Sequence, residues 1–520
     1  MATVDNRAEG EGVGSPSTNL LRSSINFFHI VLMVTAAAAP LVVASAYIPI
    51  SLAYGSGIAT PVTYAAVTVI LVIFSIGFAE MAKRITSAGA FYTFATAGLG
   101  RPIGLATGFT VAAAYSMIAA AIQGGFGLYA SSLLDKYVGI SIEWYWCCLV
   151  ALVAMFVISF FRVTVTARLL GVALTLEVLV VFVVALLIVV RGGAEGQMPE
   201  ALSPSAWADA PALGIGFFFA FWSWIGFETT AIYGEETVDP KRSVPRATFI
   251  AVITLGVFYT FVSYAAVVGF GSDSPGQAAA LYDQYFFVLA DDYSAHAFRV
   301  AMDFLVVTGF FACSFAFHNN ASRYLFSLGR DGILPKALGR THPVYKSPHV
   351  AAGVQTTVAI VTVMAFAIGG ADPLLQLGTW VPIFCTLGVI AVQLTVSIAV
   401  IFYFNRVGRT GSANVWTTII APALGALAQL VVVVLLIRNL KFLAGADKLV
   451  VNLIPLYVAL VAALGFGYAL YLKARSPERY ALIGQLHDDE LDDAFVDQEP
   501  LRAQLEHDAK HDFGRPGSKD

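Results

Sequence analysis

Two carboxylates stand inside long apolar runs of the sequence, where an ionisable side chain has chemical consequences. Glu177 lies midway through residues 165–190, and Glu228 lies near the end of residues 211–233. A charge within the hydrocarbon of a membrane is costly, so function is the first hypothesis for such a residue. We predict a gating or proton-linked role for both. The alternatives are a helix cap for Glu228 and a polar partner within the helix bundle for Glu177.

Two apolar runs also contain residues that interrupt a helix. Pro40 removes a backbone donor and crowds the preceding turn, and Gly226 follows two bulky tryptophans. Non-helical backbone at membrane depth persists where it lines a cavity, so paired breaks predict a transport site. Exposed amides suit a carboxylate and exposed carbonyls suit an ammonium, which together match a zwitterionic amino acid. The alternative is a simple kink at Pro40 and close helix packing at Gly226.

The composition indicates that these runs are membrane spans. The chain has 520 residues, of which 58% are hydrophobic and 12% charged, whereas soluble proteins have ~45–50% and ~25%. This balance excludes a soluble enzyme, a nucleic-acid-binding protein and a disordered protein. We predict an all-α polytopic membrane protein with twelve transmembrane helices. The spans are expected near residues 27–52, 60–82, 101–133, 142–161, 165–190, 211–233, 247–271, 297–327, 350–370, 374–404, 414–437 and 449–472.

The distribution of charge orients these spans. With both termini in the cytoplasm, nineteen Lys and Arg residues flank the inner ends and six flank the outer ends. This bias predicts a multi-pass protein of the cell (plasma or inner) membrane with both termini cytoplasmic. Residues 234–246 and 323–349 are then expected to be cytoplasmic loops. Residues 474–520 hold twelve Asp and Glu against six Lys and Arg, a net charge of −6, while the whole chain carries −4.

The expected organisation follows from the span count and the breaks. The interruptions fall in the first and sixth spans, which suits two inverted repeats of five spans each, followed by two appended spans. The expected divisions are a cytoplasmic N-terminal tail at 1–26, a transport core of spans 1–10 at 27–404, spans 11–12 at 405–473, and an acidic cytoplasmic C-terminal tail at 474–520.

Motifs at the ends of the spans add a family resemblance. They are Ser87-Ala-Gly-Ala-Phe-Tyr92, Arg101-Pro-Ile-Gly104, Gly226-Phe-Glu228 with Gly234-Glu-Glu-Thr-Val-Asp-Pro240, and Arg323-Tyr-Leu-Phe-Ser-Leu-Gly-Arg-Asp-Gly-Ile-Leu-Pro335. In order and spacing they resemble the amino acid–polyamine–organocation superfamily of permeases, in its amino acid permease branch. The resemblance runs from about Phe27 to Phe404. It implies a LeuT-type 5+5 inverted repeat, with helices 1 and 6 broken at mid-membrane, plus two extra helices.

The resemblance also implies a substrate site. Trp222 matches an aromatic that closes over substrate in related exchangers, and Phe317 matches an aromatic of the eighth span. Glu177 aligns with a position where some relatives carry a lysine implicated in proton coupling. The gating or coupling residues are then Glu228 and Glu177. The implied substrate-binding residues are Ala38, Ala39, Pro40, Leu41, Val42, Phe221, Trp222, Ser223, Trp224, Ile225 and Phe317.

The first break departs from the family pattern. Many members carry Gly-x-Gly there, whose bare amides receive the substrate carboxylate, whereas this chain has Ala37-Ala-Ala-Pro-Leu-Val42. Leu41 and Val42 narrow the pocket and Pro40 offers no donor. An amine or another organocation that lacks a carboxylate is therefore a second candidate substrate.

These residues together predict a secondary-active transporter of an amino acid or related small amine. It would work by alternating access, with proton coupling or exchange; the alternatives are a polyamine or organocation carrier and a membrane sensor or enzyme that reuses the fold. We expect no catalytic set, cofactor or metal, because the spacing of His487, His507 and His511 fits no established ligand set. The expected partners are a small-molecule substrate, protons and the lipid bilayer, and no nucleic acid. The oligomeric state stays open.

Overall fold

The computed structural model describes residues 25–160, 163–445 and 447–484, without the side chains of residues 163–170. These ranges are built of helices joined by short connections, with one isolated bridge of extended backbone between Ile25 and Thr237. The principal helices are α1 Phe27–Ala38, α2 Thr60–Ala82, α3 Phe91–Leu99, α4 Arg101–Val138, α5 Trp144–Ile158, α6 Val163–Arg191, α7 Leu213–Trp224, α8 Thr229–Ile232, α9 Pro240–Phe270, α10 Ser274–Leu281, α11 Tyr285–Tyr293, α12 His296–Arg330, α13 His349–Ile368, α14 Gly378–Val407, α15 Ala421–Arg438, α16 Ile454–Arg475 and α17 Pro477–Ala481.

Eleven helical stretches in the described residues are long and apolar enough to cross a membrane. The protein is therefore an all-α, multi-pass membrane protein. The predicted fourth span, at 142–161, corresponds to α5, which has only 15 residues. At ~1.5 Å per residue such a helix is shorter than the ~30 Å hydrocarbon core. The fourth of the twelve predicted spans therefore stays a prediction.

Two expected loops prove to be partly helical. The loop expected at 234–246 ends early, because α9 begins at Pro240. Proline is well tolerated at this first position, where its missing amide has no helical partner to lose. The loop expected at 323–349 begins late, because α12 continues to Arg330. The sequence misplaced both boundaries because charged residues there suggested solvent, whereas Arg323 is buried in an ion pair within the fold.

The long helix α4 forms the centre of the bundle. It contacts α3, α5, α12, α13, α14 and α16 along its length. Three of its small side chains, those of Ala114, Ala119 and Ala120, are fully buried. Small residues let helix backbones approach closely in a membrane protein, where water provides no driving force between helices.

The interrupted helices lie inside this bundle. Helix α1 contacts α6, α9 and α12, and its continuation, residues 40–55, contacts α7 and α10. Helix α7 contacts α2 and α15, and every residue of it after Leu213 is buried. Backbone that leaves helical geometry here is therefore enclosed by protein, as backbone at membrane depth must be.

Candidate functional site

The first interruption lies at Ala39. Helix α1 ends at Ala38, Ala39 adopts a left-handed conformation with φ 45°, and helix resumes at Pro40. The amide of Ala39 still bonds to the carbonyl of Thr35 at 2.9 Å. Pro40 has no N–H to donate to the carbonyl of Ala36 four residues earlier, so that carbonyl loses its helical partner. The break therefore presents unpaired backbone on both of its sides.

The second interruption lies between α7 and α8. Helix α7 ends at Trp224, Ile225 is extended with ψ 129°, and Gly226 has φ 110°. A side chain at Gly226 would be strained by this φ, and its Cβ would lie 2.7 Å from the Cβ of Ala37 and 3.0 Å from Cζ of Phe317. Gly226 therefore allows the two interruptions to meet, with the ring of Phe317 beside them.

The carbonyls at the end of α1 are partly satisfied by side chains from other helices. The hydroxyl of Tyr259 donates to the Ala38 carbonyl at 2.6 Å, and the thiol of Cys313 donates to the Ala37 carbonyl at 3.0 Å. Both donors are buried. Helices α9 and α12 thus hold the broken end of α1 in place.

The aromatic residues around α7 separate into two groups. Tyr47 stacks on Phe219, with ring centroids 6.0 Å apart, and meets Trp222 edge-on at 6.1 Å. Trp224 instead packs at 5.7 Å from Tyr64 and at 5.1 Å from Tyr259. Trp222 therefore faces the continuation of the first helix, while Trp224 is anchored between α2 and α9.

The remaining candidate residues are enclosed in the same region. Ser223 shares a 3.1 Å hydrogen bond with the hydroxyl of Tyr64. All eleven expected substrate-binding residues are buried: Ala38, Ala39, Pro40, Leu41, Val42, Phe221, Trp222, Ser223, Trp224, Ile225 and Phe317.

Glu228 lies at the second interruption and is fully buried. Its carboxylate accepts a hydrogen bond from the hydroxyl of Tyr115 and another, at 3.1 Å, from the amide of Gly226. It occupies the cap position of α8 without bonding to that helix's amides. The alternative role of a helix cap is therefore wrong, because the carboxylate bonds to the Gly226 amide within the break and to Tyr115, not to the amides of α8.

Glu177 lies on α6, and its side chain faces α12. One carboxylate oxygen accepts a 3.3 Å hydrogen bond from Thr308, and the other, Oε2, has no hydrogen-bond partner within the described ranges. Gly309 on α12 leaves room for it, since a Cβ there would lie 2.6 Å from Oε2. A buried carboxylate with an unpaired oxygen has a proton or a cation as its natural complement.

The polar cluster on α12 bonds to neighbouring helices. His318 shares a 2.8 Å hydrogen bond with Thr356, and Asn320 donates to Thr229 at 2.8 Å. Both hydrogen bonds join α12 to another helix, as buried polar side chains commonly do in membrane proteins. Asn320 thereby ties α12 to the short helix that follows the second break.

One face of the molecule carries buried ion pairs, and we call it the charged face. Arg323 donates to Glu236 at 2.7 Å, and its guanidinium lies 3.9 Å from the ring centre of Tyr233. Arg330 donates twice to Glu235, at 2.9 and 2.7 Å. These pairs join the end of α12 to the segment between α8 and α9.

The start of the first helix is fixed to the same segment by its backbone. The amide of Ile25 donates to the carbonyl of Glu236 at 2.9 Å, and the amide of Val238 donates to the carbonyl of Ile25 at 2.9 Å. The broken first helix and the loop after the broken α7–α8 helix are therefore connected at the charged face as well as at Gly226.

Sequence reasoning missed several residues that build the site. Tyr115, Tyr259 and Cys313 each bond to an interruption or to Glu228, yet each lies on an otherwise unbroken helix. For Tyr115, one signal was present: it is a polar aromatic residue within a run of small residues on α4. For Tyr259 and Cys313, nothing in the local sequence separates them from ordinary packing.

Comparisons with known proteins agree with this architecture. A family model described as amino acid permease matches residues 25–463. A low-affinity putrescine importer of Escherichia coli K12 is 25% identical over 296 residues, covering 55% of this chain and 63% of that protein. A branched-chain amino acid permease of Bacillus subtilis is 22% identical over 348 residues, covering 63% of this chain and 70% of that protein. The chain thus spans less than two thirds of the length of the first of these relatives.

Proposed function

Because this chain belongs to the amino acid permease family, we propose that it is a secondary-active transporter that moves an amino acid or a related small amine across the cell membrane by alternating access. The observation that carries the proposal is the contact between two interrupted helices at Ala37 and Gly226. Backbone groups freed at such interruptions bind substrates and coupling ions in transporters built on inverted repeats.

The proposed architecture has twelve spans, with α5 as the short fourth. Spans 1–10, at 27–404, form a LeuT-type 5+5 inverted repeat broken in helices 1 and 6, and residues 405–473 add two helices. The interruptions at Ala39 and Gly226 support this arrangement. Residues 1–26 and 474–520 are cytoplasmic tails, and the charged face is cytoplasmic, as the excess of Lys and Arg near it indicates.

The proposed substrate site lies between the two breaks. The Ala36 carbonyl, deprived of its partner by Pro40, suits an ammonium group, and the amides of Leu41 and Val42 in the first turn after the break suit a carboxylate. Trp222 and Phe317 supply aromatic faces that attract a cation by ~0.5–2 kcal/mol. Ala38, Ala39, Phe221, Ser223, Trp224 and Ile225 complete the walls.

Coupling is assigned to the two buried carboxylates. Glu228 braces the second break through Gly226, so a change in its charge alters the hydrogen bond that holds the break. Glu177 offers an oxygen without a partner in the described structure beside α12. We infer that protons act through these two residues, in symport or in exchange.

A polyamine or other organocation is the second candidate substrate. Its support is Pro40, which removes one amide where a carboxylate would otherwise bind, together with the similarity to a putrescine importer. A diamine needs carbonyls, carboxylates and aromatic faces but no amides. A membrane sensor or enzyme on the same fold is the alternative from another class.

Uptake into proteoliposomes tests the proposal. Purified protein is assayed with labelled branched-chain and other amino acids and with putrescine, with and without an imposed proton gradient. We expect accumulation of one substrate class above that of empty liposomes, increased or reversed by the gradient. Binding of a substrate without any uptake would instead indicate a sensor, and equal flux with and without the gradient would remove protons from the mechanism.

A further inference from the structure

The segment that follows α16 folds back onto the charged face. The guanidinium of Arg479 donates to the carbonyl of Gly332 from two nitrogens, at 3.1 and 2.5 Å. The amide of Gly484 donates to the hydroxyl of Tyr92 at 2.5 Å and to Oδ2 of Asp331 at 3.1 Å. We call residues 477–484 the clasp. Its contacts reach α3 and the loop after α12, both distant in sequence from the clasp.

The fit at the end of the clasp is specific to glycine. Gly484 has φ 63°, and a Cβ there would lie 2.6 Å from Oγ1 of Thr96 and 2.7 Å from its Cβ. The preceding Ile483 is buried, with 1% of its surface exposed. A buried apolar side chain followed by a left-handed glycine whose amide is hydrogen-bonded indicates a segment docked on the fold.

The receptor for the clasp is itself a junction. The hydroxyl of Tyr92 donates to Oδ2 of Asp331 at 2.8 Å, which joins α3 to the loop after α12. Asp331 directly follows Arg330, whose guanidinium donates to Glu235. The carboxylate of Glu235 also accepts a hydrogen bond from the amide of Ala88 at 2.7 Å. The clasp therefore rests on the residues adjacent to an ion pair that ties the segment after the second break to α12.

We propose that the clasp is an intramolecular latch: docked on Tyr92, Asp331 and Gly332, it holds the cytoplasmic side of the protein closed, and its release speeds opening toward the cytoplasm. This inference rests on the proposed alternating-access function. In this proposal, opening separates the segment after α8 from α12, and the clasp stabilises the loop that directly follows α12. The competing explanation is a structural anchor that fixes the end of α16 without affecting opening.

The test uses Cys313 as a native reporter of opening. Its thiol is buried against the Ala37 carbonyl at the first break. In a full-length protein whose other cysteines, Cys147, Cys148 and Cys385, are replaced by alanine, a membrane-impermeant maleimide is added to inside-out vesicles. The rate of Cys313 alkylation then measures access from the cytoplasmic side, and it requires no substrate.

Gly484→Ala is the principal variant, and Gly411→Ala is its matched control. Gly411 has nearly the same conformation, φ 64°, but a Cβ there meets no atom within 4 Å. Loss of one or two kcal/mol of docking corresponds to a factor of about 5–30 in an equilibrium. We expect Cys313 alkylation to quicken by such a factor in Gly484→Ala and to match the parent in Gly411→Ala.

A second pair guards against a folding defect. Arg479→Ala removes the donor to Gly332, whereas Arg475→Ala removes the same charge from an exposed position at the end of α16. Hydrogen exchange at residues 477–484 reports whether the clasp has left its site. A released clasp with unchanged Cys313 alkylation would reduce it to an anchor. A clasp that stays protected in both Gly484→Ala and Arg479→Ala would overturn the assigned contacts.

The outcome is separable from that of the uptake assay. Faster alkylation in the clasp variants, with no transport of any tested substrate, would contradict the proposed function and leave the latch intact. Transport that proceeds normally with equal alkylation in all variants would contradict the latch alone.

Discussion

Two pairs of buried or half-buried glutamates have different surroundings. Glu235 and Glu236 at the charged face each bind an arginine, at 2.7 Å from Arg330 and Arg323. Glu228, only eight residues before Glu236, bonds to a tyrosine hydroxyl and a backbone amide, and Glu177 bonds to a threonine hydroxyl. The first two carboxylates each lie beside a cationic guanidinium, whereas the hydrogen-bond donors to the other two are neutral groups. We therefore expect Glu235 and Glu236 to stabilise the fold as ion pairs, and Glu228 and Glu177 to act in coupling.

The largest expected effect concerns the buried ion pair between Arg323 and Glu236. Replacing Glu236 by alanine leaves the buried guanidinium of Arg323 without its carboxylate, which we expect to cost about 3–5 kcal/mol of unfolding free energy. The melting temperature in detergent should fall steeply. Glu143→Ala, at an exposed position, is the control and should melt like the parent. An unchanged melting temperature in Glu236→Ala would mean that this ion pair does not stabilise the fold.

The second prediction concerns Trp222, which meets the continuation of the first helix. Trp222→Ala removes the ring that meets Tyr47 and should lower uptake at least about tenfold, the factor that corresponds to about 1.4 kcal/mol of lost interaction. Uptake is measured in proteoliposomes at matched protein content. Trp416→Ala, a half-exposed tryptophan away from both interruptions, should transport normally. Normal uptake by Trp222→Ala would remove this residue from the substrate site.

The third prediction tests whether Glu228 carries a proton during transport. Tyr115 and the amide of Gly226 donate to different oxygens of Glu228, so glutamine keeps one acceptor, replaces the other by an NH2 group, and cannot titrate. We expect Glu228→Gln to lower the melting temperature modestly, because one hydrogen bond is lost, and to flatten the pH profile of uptake. Glu177→Gln, assayed in parallel, separates the two carboxylates. A pH profile that survives both substitutions would place the coupling group elsewhere.

The smallest expected effect is at Asp331, which follows Arg330 directly and accepts hydrogen bonds from Tyr92 and the amide of Gly484. Burial raises the pKa of its carboxyl from 3.8 to about 7, against the opposing effects of the Tyr92 hydroxyl, Arg330 and the Gly484 amide. A raised pKa in the folded state stabilises the fold below the unfolded value, and this contribution is lost as the pH rises from about 4 through 7.

The melting temperature should therefore decline by a few degrees between pH 5 and pH 8 in the parent, and Asp331→Asn should remove that decline. Asp372→Asn offers a comparison at an exposed aspartate. A parallel decline in Asp331→Asn would assign the pH dependence to another group.

The sequence predicts the positions of the breaks better than their consequences. Pro40 and Gly226 are recognisable because a missing amide and a missing side chain act locally. That Gly226 meets Ala37, and that Tyr115 reaches Glu228, depends on how separate helices pack. The spacing of residues along one helix carries no information on contacts between helices. The contacts of Tyr115, Tyr259 and Cys313 with the breaks or with Glu228 therefore could not be predicted.

The same limit explains the misplaced loops. Arg323 suggests solvent when read from its residue type, because a lone arginine is seldom buried. Its burial is possible through Glu236 and Tyr233, which come from a segment some ninety residues earlier. The acid-rich end of the chain, with His487, His507 and His511, lies outside the described residues, and expectations about it stay as the sequence leaves them.

The backbone pairing of Ile25 with residues 236 and 238 has a consequence for genetics. Its two hydrogen bonds join main-chain atoms only, so no amino-acid exchange deletes them except proline. A saturation mutagenesis screen would therefore detect this pairing only through its proline variants at residues 25 and 238. Amide-to-ester substitution at the same two residues removes each donor without changing a side chain.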